Sequence, residues 1–266
     1  MACMAERAEM LWLAPRGLGI EYRWARTRVG ASCGPTLVLL HEGLGSVSLW
    51  RDFPERLAAS TRCDVFLYSR PGYGASSAVQ LPRPTRYLHD EGLHVLPAVL
   101  AAAGIGDHVL IGHSDGGSIA IIHAGGKRDP STRALVLLAP HVFNEDITRR
   151  SIAAARDSFD DSGLRARLAR HHGDQVDATF HGWADVWLSD AFRDWNIETF
   201  LAAIEVPILL LQGEDDRYGT VRQVEAIQRG ASGRVTTRLL SACGHSLQRD
   251  QPEVVLRAIA AFLESF

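Results

Sequence analysis

The 266-residue chain has only four cysteines, Cys3, Cys33, Cys63 and Cys243, and no two of them form a C-x-x-C pair. That scatter argues against a disulfide framework or a cysteine zinc site, and free thiols in a reducing compartment are expected. Cys33 and Cys63 could still be neighbours in space. No uncharged apolar run is long enough to span a bilayer. The opening MACMAERAEMLWLAP has neither the basic start nor the long apolar stretch of a secretory signal. A cytoplasmic protein with no membrane partner is expected. Charge of one sign is also missing: the net charge is -3 at a sequence pI near 6.4, which gives no footprint for nucleic acid. A basic run, Arg165 to Arg170, reads as a solvated helix face. There is no internal repeat, no low-complexity segment, no phosphate-binding Gly-rich loop and no histidine pair at metal-ligand spacing. Neither a cofactor nor a metal is therefore expected.

What is present is an alternation of short apolar runs with helical patterns. Leu18 to Arg26, Thr36 to Leu40, Asp64 to Tyr68, His108 to Gly112, Ala134 to Ala139, Pro207 to Gln212 and Arg234 to Leu239 read as strands. Leu49 to Ser60, Tyr87 to Ala103, Ser114 to Ala124, Val221 to Arg229 and Pro252 to Phe262 read as helices. This order predicts an α/β fold with a mostly parallel sheet flanked by helices. The rhythm breaks between His141 and Ala203, a polar, helical and tryptophan-rich stretch. We expect residues 1–140 and 204–266 to form the core and 141–203 a helical cap inserted before the last two strands.

Gly112-His113-Ser114-Asp115-Gly116 has the pattern G-x-S-x-G, preceded by a strand and followed by a helix. A sharp strand-to-helix turn would hold Ser114 in a strained conformation, with no room for side chains two residues to either side. The helix start behind Ser114 directs partial positive charge at developing negative charge. A serine hydroxyl needs a base, and His245 in SACGHSLQRDQP lies between the last strand and the last helix. The base needs a carboxylate. The acidic run Glu214-Asp215-Asp216 after the strand LLLQG supplies one, and Glu145 or Asp146 is a further alternative. His113 is expected to point away from the turn.

These motifs resemble the α/β-hydrolase superfamily, in its capped single-domain branch of carboxylesterases, acyl-carrier methyl-ester esterases, enol-lactonases and carbon–carbon hydrolases. The resemblance runs from about Tyr22 to Phe262. It implies Ser114, Asp216 and His245 as the catalytic residues, in the chain order usual for this fold. It implies backbone N–H donors at Gly43, in the loop His41-Glu42-Gly43-Leu44, and at Asp115 as an oxyanion hole. Glu42 stands where the family usually carries glycine, and Asp115 where a neutral residue is common. The Asp115 side chain is expected to be tied up by neighbouring groups, and Glu42 could contact a polar part of the substrate. Leu44, His141, Trp183 and Trp187 are further candidate substrate contacts, and Arg149, Arg150 or Arg193 could meet a substrate carboxylate. Ser69 to Ser76 resembles a structural turn of the family. Epoxide hydrolases and haloalkane dehalogenases of this fold use an aspartate nucleophile, so the serine points to hydrolysis of a small-molecule ester or thioester. Carbon–carbon or lactone hydrolysis, and a non-catalytic ligand receptor, are the alternatives. The chain is expected to be a monomer or homodimer.

Overall fold

The computed structural model describes residues 7–14, 17–27 and 34–265. Cys3 and Cys33 lie outside them, so the question of a Cys33–Cys63 pair does too. Eight strands form one sheet: β1 (Glu9–Leu13), β2 (Leu18–Ala25), β3 (Thr36–Leu40), β4 (Val65–Tyr68), β5 (His108–His113), β6 (Thr132–Leu138), β7 (Ile208–Gly213) and β8 (Val235–Leu240). Their spatial order is β1-β2-β4-β3-β5-β6-β7-β8. β1 and β2 pair antiparallel, as do β2 and β4, while the remaining pairs are parallel. The central strands β5 and β7 are buried at every residue, which accounts for their unbroken apolar runs.

The helices are α1 (Phe53–Thr61), α2 (Tyr87–Asp90), α3 (Leu96–Ala102), α4 (Asp115–Lys127), α5 (Asp146–Asp157), α6 (Leu164–His172), α7 (Val176–Leu188), α8 (Val221–Gly230), α9 (Leu247–Asp250) and α10 (Pro252–Leu263). Each face of the sheet carries its own core. One joins α4 to the helices that precede β7, through Phe159, Phe180, Trp187 and Phe192. The other packs α1 and α10 against Leu37, Leu39, Val109 and Ile111. Among the described residues no strand element falls between β6 and β7. Helices α5, α6 and α7 and short 3-10 helices, the last ending at Ala203, occupy that interval.

Three expectations need correction. β1 and the short α9 were not foreseen: β1 is an edge strand whose Trp12 is exposed, so it carries no buried alternation to detect. The helix expected over Leu49 to Ser60 is two pieces, a 3-10 turn at Val47–Trp50 and then α1. They are separated at Arg51, whose φ of 52° no helix accommodates, and Pro54 starts the second piece. The helix expected over Tyr87 to Ala103 widens into a π turn at Glu91–Val95, just before Pro97, which has no N–H to donate.

The topology places the site. The chain leaves β3 for β4 on one side, and β5 then returns to the other side of β3. Ligand sites of open α/β sheets lie at such a reversal, beyond the strand C-termini. Here those termini lead into His41–Leu44 after β3 and Ser114 after β5.

Candidate active site

Ser114 sits between β5 and α4 with φ 52° and ψ -118°, in the left-handed half of conformational space that costs a side chain energy. Packing holds the turn there. A Cβ on Gly112 would come within 2.3 Å of the Gly116 carbonyl oxygen, and one on Gly116 within 2.0 Å of the Leu40 carbonyl oxygen. Both motif glycines are therefore required by close backbone approach. The Ser114 N–H donates to the Leu138 carbonyl at 2.9 Å, tying the turn to the end of β6.

Ser114 Oγ lies 2.9 Å from His245 Nε2, and His245 Nδ1 lies 2.8 and 3.0 Å from the two Asp216 oxygens. The consistent tautomer has Nδ1–H donating to Asp216 and Nε2 accepting from the serine hydroxyl. Asp216 is fixed in turn by the Gln212 amide at 2.6 Å and the Tyr218 N–H at 2.7 Å. Burial pushes its carboxyl pKa up. The hydrogen bond and charge of His245 and the Tyr218 N–H outweigh that and hold it below the ordinary carboxylate range. Asp215 is exposed, and Glu145 is occupied with Thr220 and Gln223. Neither touches His245.

A cavity of roughly 270 Å³ opens over Ser114. Nine of the ten site residues expected from sequence line it: Glu42, Gly43, Leu44, Ser114, Asp115, His141, Trp183, Trp187 and His245. The tenth, Asp216, stands behind His245. Gly43 faces the Trp183 indole so closely that a Cβ would come within 2.1 Å of its Nε1. Asp115 is the first residue of α4, where a helix N–H has no intrahelical acceptor. The N–H of Asp115 thus has no acceptor within its own helix and lies beside Ser114.

The two unexpected acids are held differently. Asp115 is buried and accepts from Tyr87 Oη at 2.7 Å, with Arg70 Nη1 3.7 Å away. Its side chain is tied up, as expected, and points away from the cavity mouth into a buried polar group. Burial raises its pKa, against the opposing pull of Arg70 and the Tyr87 hydrogen bond. Arg70 also donates to the Glu42 carbonyl at 2.8 Å, and its own N–H donates to His41 Nε2 at 3.0 Å, so one residue braces both the His41–Leu44 loop and Asp115. Behind it, burial pushes Glu91 up to about 7 despite Arg70 and Arg83. Glu42, by contrast, reaches the cavity. Its carboxylate lies 3.6 Å from His113 Nδ1 and folds back over Gly45, where a Cβ would come within 2.5 Å of Oε2. Burial opposes ionisation there, but His113 and His41 hold the Glu42 pKa below the ordinary range.

His113 corrects an expectation. It does not point away from the site: Nε2–H donates to the His245 carbonyl at 2.8 Å, the Gln248 side-chain amide lies 3.1 Å from Nδ1, and the two imidazole rings lie 5.1 Å apart. It braces the histidine loop from beneath. His141 packs between Trp187 and His245, and burial pushes its pKa down to about 3, so it is a neutral wall. Arg149 is not aimed at the cavity. It donates to the Trp187, Leu188 and Ser189 carbonyls and so caps the C-terminus of α7. Arg193 pairs with Asp190, and Arg150 is exposed. Ser69 fills a structural role in its turn, accepting from Val47 N–H and donating to Glu21. Thr148, Ile152, Leu168 and Tyr218 line the cavity but were not foreseen. The first three come from α5 and α6, where a wall residue and a core residue carry the same pattern.

Residues 37–258 match the model of the alpha/beta hydrolase family. The chain is 25% identical to epoxide hydrolase 4 of Mus musculus, over 86% of this chain and 73% of that protein. Among solved structures, a bacterial membrane phospholipase A superposes with a TM-score of 0.76 at 23% identity, covering 97% of this chain and 86% of that one. The esterase RhEst1 from Rhodococcus sp. ECU1013 superposes with a TM-score of 0.71 at 20% identity, covering 98% and 99%. No helix among the described residues is long and apolar enough to cross a membrane.

Proposed function

Because the chain belongs to the alpha/beta hydrolase family, we propose that it is a serine hydrolase that cleaves a small carboxylic ester or thioester through an acyl-enzyme on Ser114. The observation that carries this reading is the continuous hydrogen-bonded line from Ser114 through His245 to Asp216, opening on a cavity. The murine relative is named an epoxide hydrolase. Here residue 114 is a serine, and its hydroxyl faces a base.

Ser114 Oγ attacks the substrate carbonyl carbon as its proton passes to His245 Nε2, and Asp216 stabilises the imidazolium. The carbonyl oxygen becomes an oxyanion and takes the N–H groups of Gly43 and Asp115; losing one such donor typically raises the barrier by about 3 kcal/mol. Collapse expels the alcohol or thiol, which receives the His245 proton. Water then attacks the acyl-enzyme and gives a proton to the same nitrogen, and collapse releases the acid as His245 returns that proton to Ser114 Oγ. The helical segment acts as a cap: Trp183 and Trp187 supply apolar walls that set substrate size. A fluorophosphonate probe is expected to label the chain once, on the peptide carrying Ser114, with loss of p-nitrophenyl ester turnover. No labelling and no turnover would overturn the enzyme reading and favour a ligand receptor.

Glu42 gives this pocket its selectivity. An ionised carboxylate on the wall favours a substrate carrying an ammonium or hydroxyl donor there and disfavours one carrying a carboxylate. For two esters of equal size, one amine-bearing and one not, Glu42→Gln lowers kcat/KM for the amine-bearing ester by about 10-fold or more relative to the other, the worth of a hydrogen bond to a charged group. Equal activity on both, unchanged from wild type, would sink this assignment.

A further inference from the structure

At the far end of β5 and α4 from Ser114, three residues distant in sequence converge. His108 opens β5, His123 lies in the last half of α4, and Asp129 follows in the connection to β6. One potential ligand atom from each lies within 4.8 Å of the others. Both imidazoles are about 1% exposed, and both are anchored through the same nitrogen. His108 Nδ1 contacts the Gly106 carbonyl at 2.8 Å and His123 Nδ1 the Gly92 carbonyl at 3.0 Å. A carbonyl only accepts, so Nδ1 carries the hydrogen in each ring and Nε2 carries a lone pair. This is the arrangement in which protein carbonyls orient metal-binding histidines.

The His123 Nε2 lone pair then faces the Asp129 carboxylate with no proton between them. His123 Nε2 is buried and has no hydrogen-bond partner, and Asp129 Oδ2, an acceptor, lies 3.9 Å away. Asp129 Oδ1 already accepts from the Ser131 N–H at 2.9 Å, which turns Oδ2 toward the histidines. Thr132 Oγ1 contacts His108 Nε2 at 3.0 Å and completes the ring of groups. A buried acceptor without a donor is costly, and the unpaired His123 Nε2, beside a carboxylate and a second imidazole whose Nε2 is met only by the Thr132 hydroxyl, describes a place for a cation.

We propose that His108, His123 and Asp129 bind a divalent transition-metal ion of the zinc class, clipping β5, α4 and the α4–β6 connection together. Two imidazoles and one carboxylate suit zinc or cobalt, with Thr132 Oγ1 or water in the fourth position. Metal–ligand bonds of about 2.0–2.2 Å require the Asp129 loop to move inward by a fraction of an ångström. That loop is half-exposed and borders a surface cleft lined by Arg128, Asp129 and Thr132, which gives an ion a way in. The histidines are 15 residues apart (123 minus 108), so no motif spacing marks them in sequence.

The test uses untagged, EDTA-treated and desalted full-length protein, titrated with Zn²⁺ and Co²⁺. Wild type is expected to retain one equivalent after equilibrium dialysis, and Co²⁺ to show the visible absorption of a four-coordinate site. A hundredfold excess of Zn²⁺ over Kd is expected to raise the melting temperature by about 5 °C. Asp129→Asn, at a half-exposed loop position that leaves folding intact, and His123→Gln are expected to weaken binding by about tenfold or more and to abolish the thermal shift. His181→Gln, on an exposed helix face, is expected to change neither. Less than one equivalent on wild type, or binding that survives both His123→Gln and Asp129→Asn, would overturn the site.

Discussion

Ser114→Ala is expected to lower kcat for ester turnover by about 10⁴–10⁶-fold while leaving the fold intact. The variant keeps the Cβ, so the strained turn at φ 52° and the close approaches of Gly112 and Gly116 to neighbouring backbone are unchanged. Only one hydrogen bond is removed, that between Oγ and His245 Nε2 at 2.9 Å. The released nitrogen faces the cavity, so the stability change stays within about 1 kcal/mol. Residues that act as a unit are not additive in their effects. Ser114→Ala combined with His245→Ala is accordingly no slower than Ser114→Ala alone. Steady-state kinetics with a p-nitrophenyl ester, alongside thermal melts of wild type and the two variants, checks both statements. Residual activity above about one hundredth of wild type in Ser114→Ala contradicts them.

Asp216→Asn is expected to cost about 10⁴-fold in kcat, because an amide inverts the hydrogen-bond pattern around His245. Both Asp216 oxygens now accept, one from Gln212 and His245, the other from Tyr218 and His245. An NH₂ group in either position meets a donor. To pair with it, His245 must present a lone pair at Nδ1 and carry its hydrogen on Nε2, where it can no longer take the serine proton. The variant also reports on acid stability. The Asp216 pKa is depressed in the folded state, so its contribution is complete above the unfolded value of about 3.9. It is lost as the pH falls through the lower folded value. Asp216→Asn therefore flattens the acid limb of the stability curve below about pH 4 and lowers stability at neutral pH. Urea melts between acid and neutral pH read this directly; an unchanged acid limb would mean that the pair with His245 does not set it.

The sequence by itself determined the sheet, the turn and the three residues that the fold joins in one hydrogen-bonded line. Buried parallel strands such as β5 and β7 must be apolar throughout, and a nucleophile turn must have glycines where Gly112 and Gly116 stand, because neighbouring carbonyls leave no room for Cβ. Backbone geometry of that kind leaves a local signature. Long-range placement does not. That His113 braces the His245 carbonyl, that Arg70 ties the Glu42 loop to Asp115, and that Thr148, Ile152 and Leu168 face a cavity were decided only when the chain closed on itself. Each depends on contacts between distant elements, and the same residue types serve equally in a core. Ser114 is the clearest division between the two: its motif announced a nucleophile, but only the folded molecule brought His245 to one side of it and set an ionised Glu42 on the wall of its pocket.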